Sequence, residues 1–174
     1  MDAYIKGEIV MIVDSVVGAQ NKSFCRSSTN VDFNDLVGKW VSHDEFNRYF
    51  DALEKKAGNI GPQVAGRQAG ITLSQNMPEL AESNDPRDGF RPIPQFFEEN
   101  NKGNDRGEFI INELTSDFMK LTFTGKVNER FHLGLFEGLL RFYKKVVVRA
   151  EITETYEKDG RSVFEVSWKD GLAG

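Results

Sequence analysis

Two histidines, His43 and His132, and one cysteine, Cys25, are the residues of this chain whose chemistry is most easily recruited. His132 stands in "NERFHLGLFEGLLRFYKK", Asn128 to Lys145, among phenylalanines and leucines and ahead of two glycines four residues apart. An imidazole there can be a metal ligand, a catalytic base, or a buried neutral ring satisfied by one hydrogen bond. Glu129 and His132 have the Glu-x-x-His spacing that puts a carboxylate and an imidazole on one helix face in di-iron bundles, but the second copy that such a site requires is missing. His43, in "SHDEF", reads as the exposed flank of a helix start. Cys25, in "KSFCRSS", has basic neighbours that would lower a thiol pKa, and no base close by in sequence. An ordinary loop cysteine is therefore expected, with a reactive thiol as the alternative. No serine occupies a Gly-x-Ser-x-Gly elbow. The glycines of "GPQVAGRQAGI" lack both the lysine and hydroxyl of a phosphate loop and the spacing of a dinucleotide fingerprint. This inventory predicts no metal site and no catalytic residue, and favours a non-enzymatic protein.

The elements that must position these residues follow from periodicity. On a helical wheel, His132 centres an arc formed by Leu135, Phe136, Leu139, Leu140 and Tyr143, with Glu137 and Arg141 opposite. His132 is therefore expected to face inward. Gly134 and Gly138 fall near the polar side of the wheel, where another backbone is expected to approach, from residues 1 to 18 or from a second subunit. The latter makes a homodimer an expectation. On either side of this helix the period changes to two. "GEFIINEL" and "DFMKLTFTG" meet at Thr115 and Ser116, and "VVVRAEITETYEKDGRSVFEVSW" turns through Lys158, Asp159 and Gly160, with Asp-Gly a strong hairpin signal.

Upstream, "WVSHDEFNRYFDALEKKAG" carries a Ser42 cap, Glu45 to complete a capping box, lysines in the last turn and Gly58 to stop the helix. "GPQVAGRQAGI" reads as a packing helix with Pro62 in its first turn and a small-residue surface of Ala65, Ala69, Gly66 and Gly70. Ile5, Ile9, Ile12, Val13, Val16 and Val17 suggest a helix over 5 to 18, with a strand as the alternative. Residues 19 to 38 are expected to be loop with a helical turn near Asp35; residues 83 to 91 and 100 to 107 read as loops around a short amphipathic piece at "IPQFFEEN". The expected fold is α+β: an N-terminal helical layer packed with a C-terminal β-β-α-β-β four-stranded antiparallel sheet. It forms a single domain over 1 to 174, mainly helical over 1 to 106 and ββαββ over 107 to 170.

Composition sets further bounds. The chain has 174 residues, 39% hydrophobic and 28% charged, which suits a globular domain with a continuous core. A net charge of −5 lacks the positive footprint that nucleic acid requires. One cysteine excludes an intramolecular disulfide framework, and the short apolar run at Ile9 to Val13 is neither a signal peptide nor a membrane span, so a cytoplasmic protein is expected. Fourteen phenylalanines call for a bulky core or a ring-lined cavity.

The order "MKLTFTG…FHLGLFEGLLRFY…VVVRAEITETYEKDGRSVFEVSW" resembles the C-terminal half of the haem-NO-binding, 4-vinyl-reductase and TRAPP-like superfamily, over roughly 107 to 169. "DEFNRYFDALEKKAG" with "GPQVAGRQAG" is similar, less specifically, to the helical half of its sensor branch. The resemblance implies an apolar pocket between helices and sheet, used in different branches for haem, acyl chains or other small molecules. It also implies, in the haem branch, an iron-binding histidine from a helix in the first two thirds of the chain and a Tyr-x-Ser-x-Arg run just before the glycine-containing helix. Here that run reads Phe123-Thr124-Gly125-Lys126-Val127, and no histidine lies between His43 and His132. The last hairpin also lacks the cysteines common in the 4-vinyl-reductase-like branch. The sequence thus sets the expectation of a non-enzymatic sensory or ligand-binding domain without a cofactor, binding a small apolar molecule through His132, Phe123, Phe131, Phe136 and Tyr143. A haem-binding gas sensor or metal-dependent enzyme using His132 is the alternative, and a protein-protein adaptor a further one. A signalling protein is the expected partner.

Overall fold

A computed structural model describes residues 1–77 and 83–171. The helices are α1 (Gly7–Val16), α2 (Ala19–Ser27), α3 (His43–Ala57), α4 (Gly61–Gln75), α5 (Pro86–Phe90), α6 (Ile93–Asn100), α7 (Glu129–Phe142) and the single turn α8 (Tyr156–Asp159). The strands are β1 (Tyr4–Lys6), β2 (Trp40–Ser42), β3 (Asn101–Lys102), β4 (Phe109–Leu114), β5 (Phe118–Phe123), β6 (Lys145–Glu154) and β7 (Ser162–Asp170). The fold is α+β. Its larger sheet is antiparallel, in the order β4-β5-β7-β6, and α7 covers one face. Alternation decides that face: Met119, Leu121, Phe164 and Val166 point inward onto Phe136, Leu139 and Leu140. The second hairpin closes through α8 and Gly160, whose φ of 68° is the left-handed conformation that Asp-Gly announces. Among the described residues no helix is long and apolar enough to cross a membrane.

Several local expectations need correction. The N-terminus is strand, then helix: Ile5 pairs with Val41 and with Asn101 in a small sheet of order β2-β1-β3, and the helical period begins only at Gly7. Residues expected as loop form α2, whose inner face buries Cys25, and α5, which Asp85 caps by accepting the Arg87 N–H at 2.9 Å. The Ser42 cap of α3 forms as the sequence suggests, with Ser42 Oγ accepting the Glu45 N–H at 3.2 Å, but the Glu45 carboxylate accepts from the Asn30 N–H at 2.8 Å instead of closing the capping box.

The glycine ridge of α7 is covered by α4 of the same chain, so neither residues 1 to 18 nor a second subunit occupies it. A Cβ on Gly134 or Gly138 would lie 2.0 Å from Gln63 O or 2.1 Å from Arg67 O. Reciprocally, one on Gly66 or Gly70 would lie 2.0 Å from Phe131 O or 2.3 Å from Leu135 O. Two small-residue stripes thus let the two backbones touch. Glu137, placed on the polar side by the wheel, is buried at this seam, where its Oε2 accepts from Arg67 Nη2 at 2.7 Å and Gln63 Nε2 at 3.2 Å. Because α7 is clamped on this side and packs on the sheet with another, its remaining side is free to form the wall between the two hydrophobic clusters of the protein.

Candidate functional site

A cavity of about 100 Å³ lies where those clusters meet. Its walls come from Ile9 and Val13 of α1, His43, Phe46, Asn47 and Phe50 of α3, Phe96 and Phe97 of α6, and Phe131, His132, Leu135 and Phe136 of α7. Phe109 of β4 and the α7 cap segment Val127–Asn128 complete it. No charged side chain contributes. Of the five residues that the sequence nominates, Phe131, His132 and Phe136 line the cavity. Phe123 and Tyr143 do not. Phe123 is fully enclosed behind the histidine, its ring nearly parallel to that of His132 at 6.1 Å. Tyr143 ends α7 beneath Gly89, its hydroxyl sealed off without a hydrogen-bond partner among the described residues.

His132 is held by its own helix. Asn128 caps α7, its Oδ1 accepting the Phe131 N–H at 2.9 Å, and its backbone oxygen lies 3.0 Å from His132 Nδ1. A carbonyl oxygen can only accept, so Nδ1 carries the proton of the neutral ring and Nε2 presents a lone pair. Nε2 has no hydrogen-bond partner among the described residues, and the His132 ring is part of the cavity lining. Desolvation among the rings is the main reason that the His132 pKa is pushed down to about 4, against the bond to Asn128 and with a smaller contribution from nearby His43. Glu129 does not oppose this, because its carboxylate accepts from the Tyr156 N–H at 2.7 Å and from Ser162 Oγ at 2.6 Å.

His43 is not an exposed flank. It is 4% exposed, lines the same cavity, and its Nε2 lies 2.8 Å from Asn101 Oδ1. Asn101 Nδ2 donates to Phe97 O at 2.8 Å, which turns Oδ1 toward the histidine and makes His43 Nε2 the donor. Burial lowers the His43 pKa as well. Both imidazoles are therefore neutral at pH 7. Neither asparagine is among the residues that the sequence nominates: Asn128 is of a type that caps helices, whereas nothing local marks Asn101, whose partner lies far away in sequence. Cys25 lies in a helix rather than a loop, and burial and Asp14 push its thiol up to about 11, which suits an ordinary cysteine rather than a reactive nucleophile.

Two spaces adjoin the cavity. One of about 50 Å³ is separated from it by Leu73, Ile93, Phe96 and Leu135, which line both. On the outer side, a polar groove shares Asn47, Val127 and Asn128 with it and carries charges of both signs, Lys126 and Arg130 among them beside Asp44, Asp51, Glu54 and Glu129. Among the described residues, no group of three or more His, Cys, Asp or Glu side chains could hold a metal ion.

No family model matches the chain, and no curated protein matches it. Solved structures do match. One is described as an oxygen-binding H-NOX domain related to soluble guanylate cyclases in its oxygen complex: TM-score 0.72, 21% identity, 98% of each chain covered. Another, described by the modulation of haem redox potential through protein-induced porphyrin distortion, matches at TM-score 0.72 and 20% identity, again over 98% of each chain. A variant of the T. tengcongensis H-NOX domain matches at TM-score 0.69 and 20% identity, over 97% of this chain and all of that one. These matches run against the expectation of a domain without a cofactor, since structures that share the architecture end to end are described by their haem. The chain has the fold of the H-NOX, or haem-NO-binding, domains, the superfamily that its sequence resembles.

Proposed function

We propose that this chain is a ligand-sensing domain that takes haem into the cavity between α1, α3, α6 and α7, with His132 Nε2 as the protein ligand to the iron. The observation that carries the reading is the unpartnered lone pair of His132. Its Nδ1–H donates to Asn128 O, the outer bond that fixes tautomer and ring orientation in histidines that bind metals and raises their basicity. A ring with a pKa near 4 stays neutral and ready to ligate at physiological pH. Among the described residues no cluster could hold a bare metal ion, so iron would have to arrive in a macrocycle that brings its own ligands. Haem bound here would supply an iron site for a diatomic gas, the chemistry named by the oxygen complex among the structural neighbours.

The surrounding residues have definite roles in this reading. The phenylalanines of the cavity exclude water and offer ring faces to a flat apolar group. Lys126 and Arg130, in the adjoining groove, would receive its charged side groups in place of a Tyr-x-Ser-x-Arg run. The cavity of about 100 Å³ and the adjoining space of about 50 Å³ are together still below the roughly 300–1,000 Å³ of small-molecule pockets, so Leu73, Ile93, Phe96 and Leu135 would have to swing aside and the helices around them part as well. Such a rearrangement would displace α7 against the sheet, a change that a signalling protein partner could read. The test is a haem titration of the purified chain, following the Soret band. Saturation at one equivalent, with the band shifted or lost in His132→Ala and retained in His43→Ala, supports the assignment. Absence of a stoichiometric band, or identical spectra for wild type and His132→Ala, refutes it.

A further inference from the structure

The cavity also has a chemistry of its own in the haem-free chain. We infer that it binds a small, neutral, ring-sized molecule carrying one N–H or O–H donor, with that donor on His132 Nε2. This inference rests on the cavity being the ligand site, but not on the ligand being haem.

Charge, polarity and size each narrow the class. No lysine, arginine, aspartate or glutamate lines the cavity, so a charged ligand would be desolvated without a counter-ion. The donors of the neighbouring polar groups are already engaged: His43 Nε2–H with Asn101 Oδ1, Asn101 Nδ2 with Phe97 O, and Asn100 Nδ2 with Phe96 O. Asn47 and Asn128 also border the outer groove, where water reaches them. The Nε2 lone pair of His132 and the Nδ1 lone pair of His43 then remain without a partner among the described residues, and a ligand lacking a donor would leave both unpaired. Phe46, Phe50, Phe97, Phe109 and Phe136 supply ring contacts on the other walls. An engineered apolar cavity of about 150 Å³ holds benzene; here about 100 Å³ is open, and a further 50 Å³ lies behind rotatable leucine, isoleucine and phenylalanine side chains. Phenol and indole have the size and the single donor that this space selects.

Phenol and toluene are near-isosteres that differ in the donor, so their binding to the haem-free full chain, measured by calorimetry or by amide chemical-shift titration, isolates the bond to Nε2. The expected result is that both bind wild type and that the phenol-to-toluene affinity ratio falls about tenfold in His132→Leu, the effect of leaving one buried hydroxyl unpaired. His132→Phe, which keeps a ring in place, should show the same fall and guards against a variant that fails to fold. An unchanged ratio in folded variants overturns the inference, as does wild-type protein that binds neither probe. Haem uptake without phenol binding would sink this inference alone; phenol binding without haem uptake would sink the haem assignment alone.

Discussion

Lowering the pH from about 7 to about 4.5 should act on His132 differently in the folded and unfolded chains. In the fold its pKa is near 4, because the ring is enclosed by phenylalanines and only its Nδ1–H has a partner. Unfolded, it returns to about 6.5. Between those values the unfolded chain binds a proton that the folded chain refuses, so stability is lost as pH falls through this window and levels off below it. The gap corresponds to roughly 3 kcal/mol, a large part of the stability of an ordinary domain. Solvent screening does not reduce it much, since Phe109, Phe123, Phe131 and Phe164 surround the ring. His43 pulls in the same direction, and carboxylates titrate in the lower part of the range, so wild type alone would not isolate the effect. His132→Gln does, because glutamine can donate to Asn128 O without titrating, while His43 and every carboxylate remain. Urea unfolding of both chains at a series of pH values should show wild type losing about 2–3 kcal/mol more than the variant between pH 7.5 and 4.5. Parallel curves, or a His132 resonance titrating near its ordinary value, would show that the ring is not enclosed as described.

Gly138→Ala tests the seam between α4 and α7: helix propensity alone would favour alanine by up to about 1 kcal/mol, but its Cβ would lie 2.1 Å from Arg67 O. A net loss of about 2 kcal/mol or more is expected in chemical denaturation, and a neutral or stabilised variant would mean that the helices are not in backbone contact. Cys25, buried and with its thiol pushed up to about 11, should resist alkylation at pH 8 until the chain is unfolded, as followed by mass spectrometry. Labelling of the native protein at the rate of a free thiol would contradict its placement on the inner face of α2.

Where local rules suffice, the sequence is a good guide to this fold. Alternation in β4 to β7, the Asp-Gly turn and the Ser42 cap of α3 each concern residues within a few positions of one another. The strands of the small sheet are two or three residues long and owe their existence to pairing between the N-terminus and residues near 41 and 101, so no period can announce them. The glycines of α4 and α7 were each visible as places for a close approach, but that they approach each other is a property of the packed molecule. His43 was misplaced for the same reason, its burial depending on Asn101 and Ala3, with which its ring and its backbone N–H bond. The site follows this division. A helical wheel turns His132 toward the interior, yet an apolar face looks the same whether side chains or a hole lie opposite. What distinguishes a core histidine from one that can take a ligand is a free lone pair in open space. Here Asn128 O fixes that lone pair on Nε2 from within the helix, while walls from α1, α3, α6 and β4 leave the space before it. The first half is a local consequence of capping and the second is a consequence of tertiary packing, so only their conjunction makes a site.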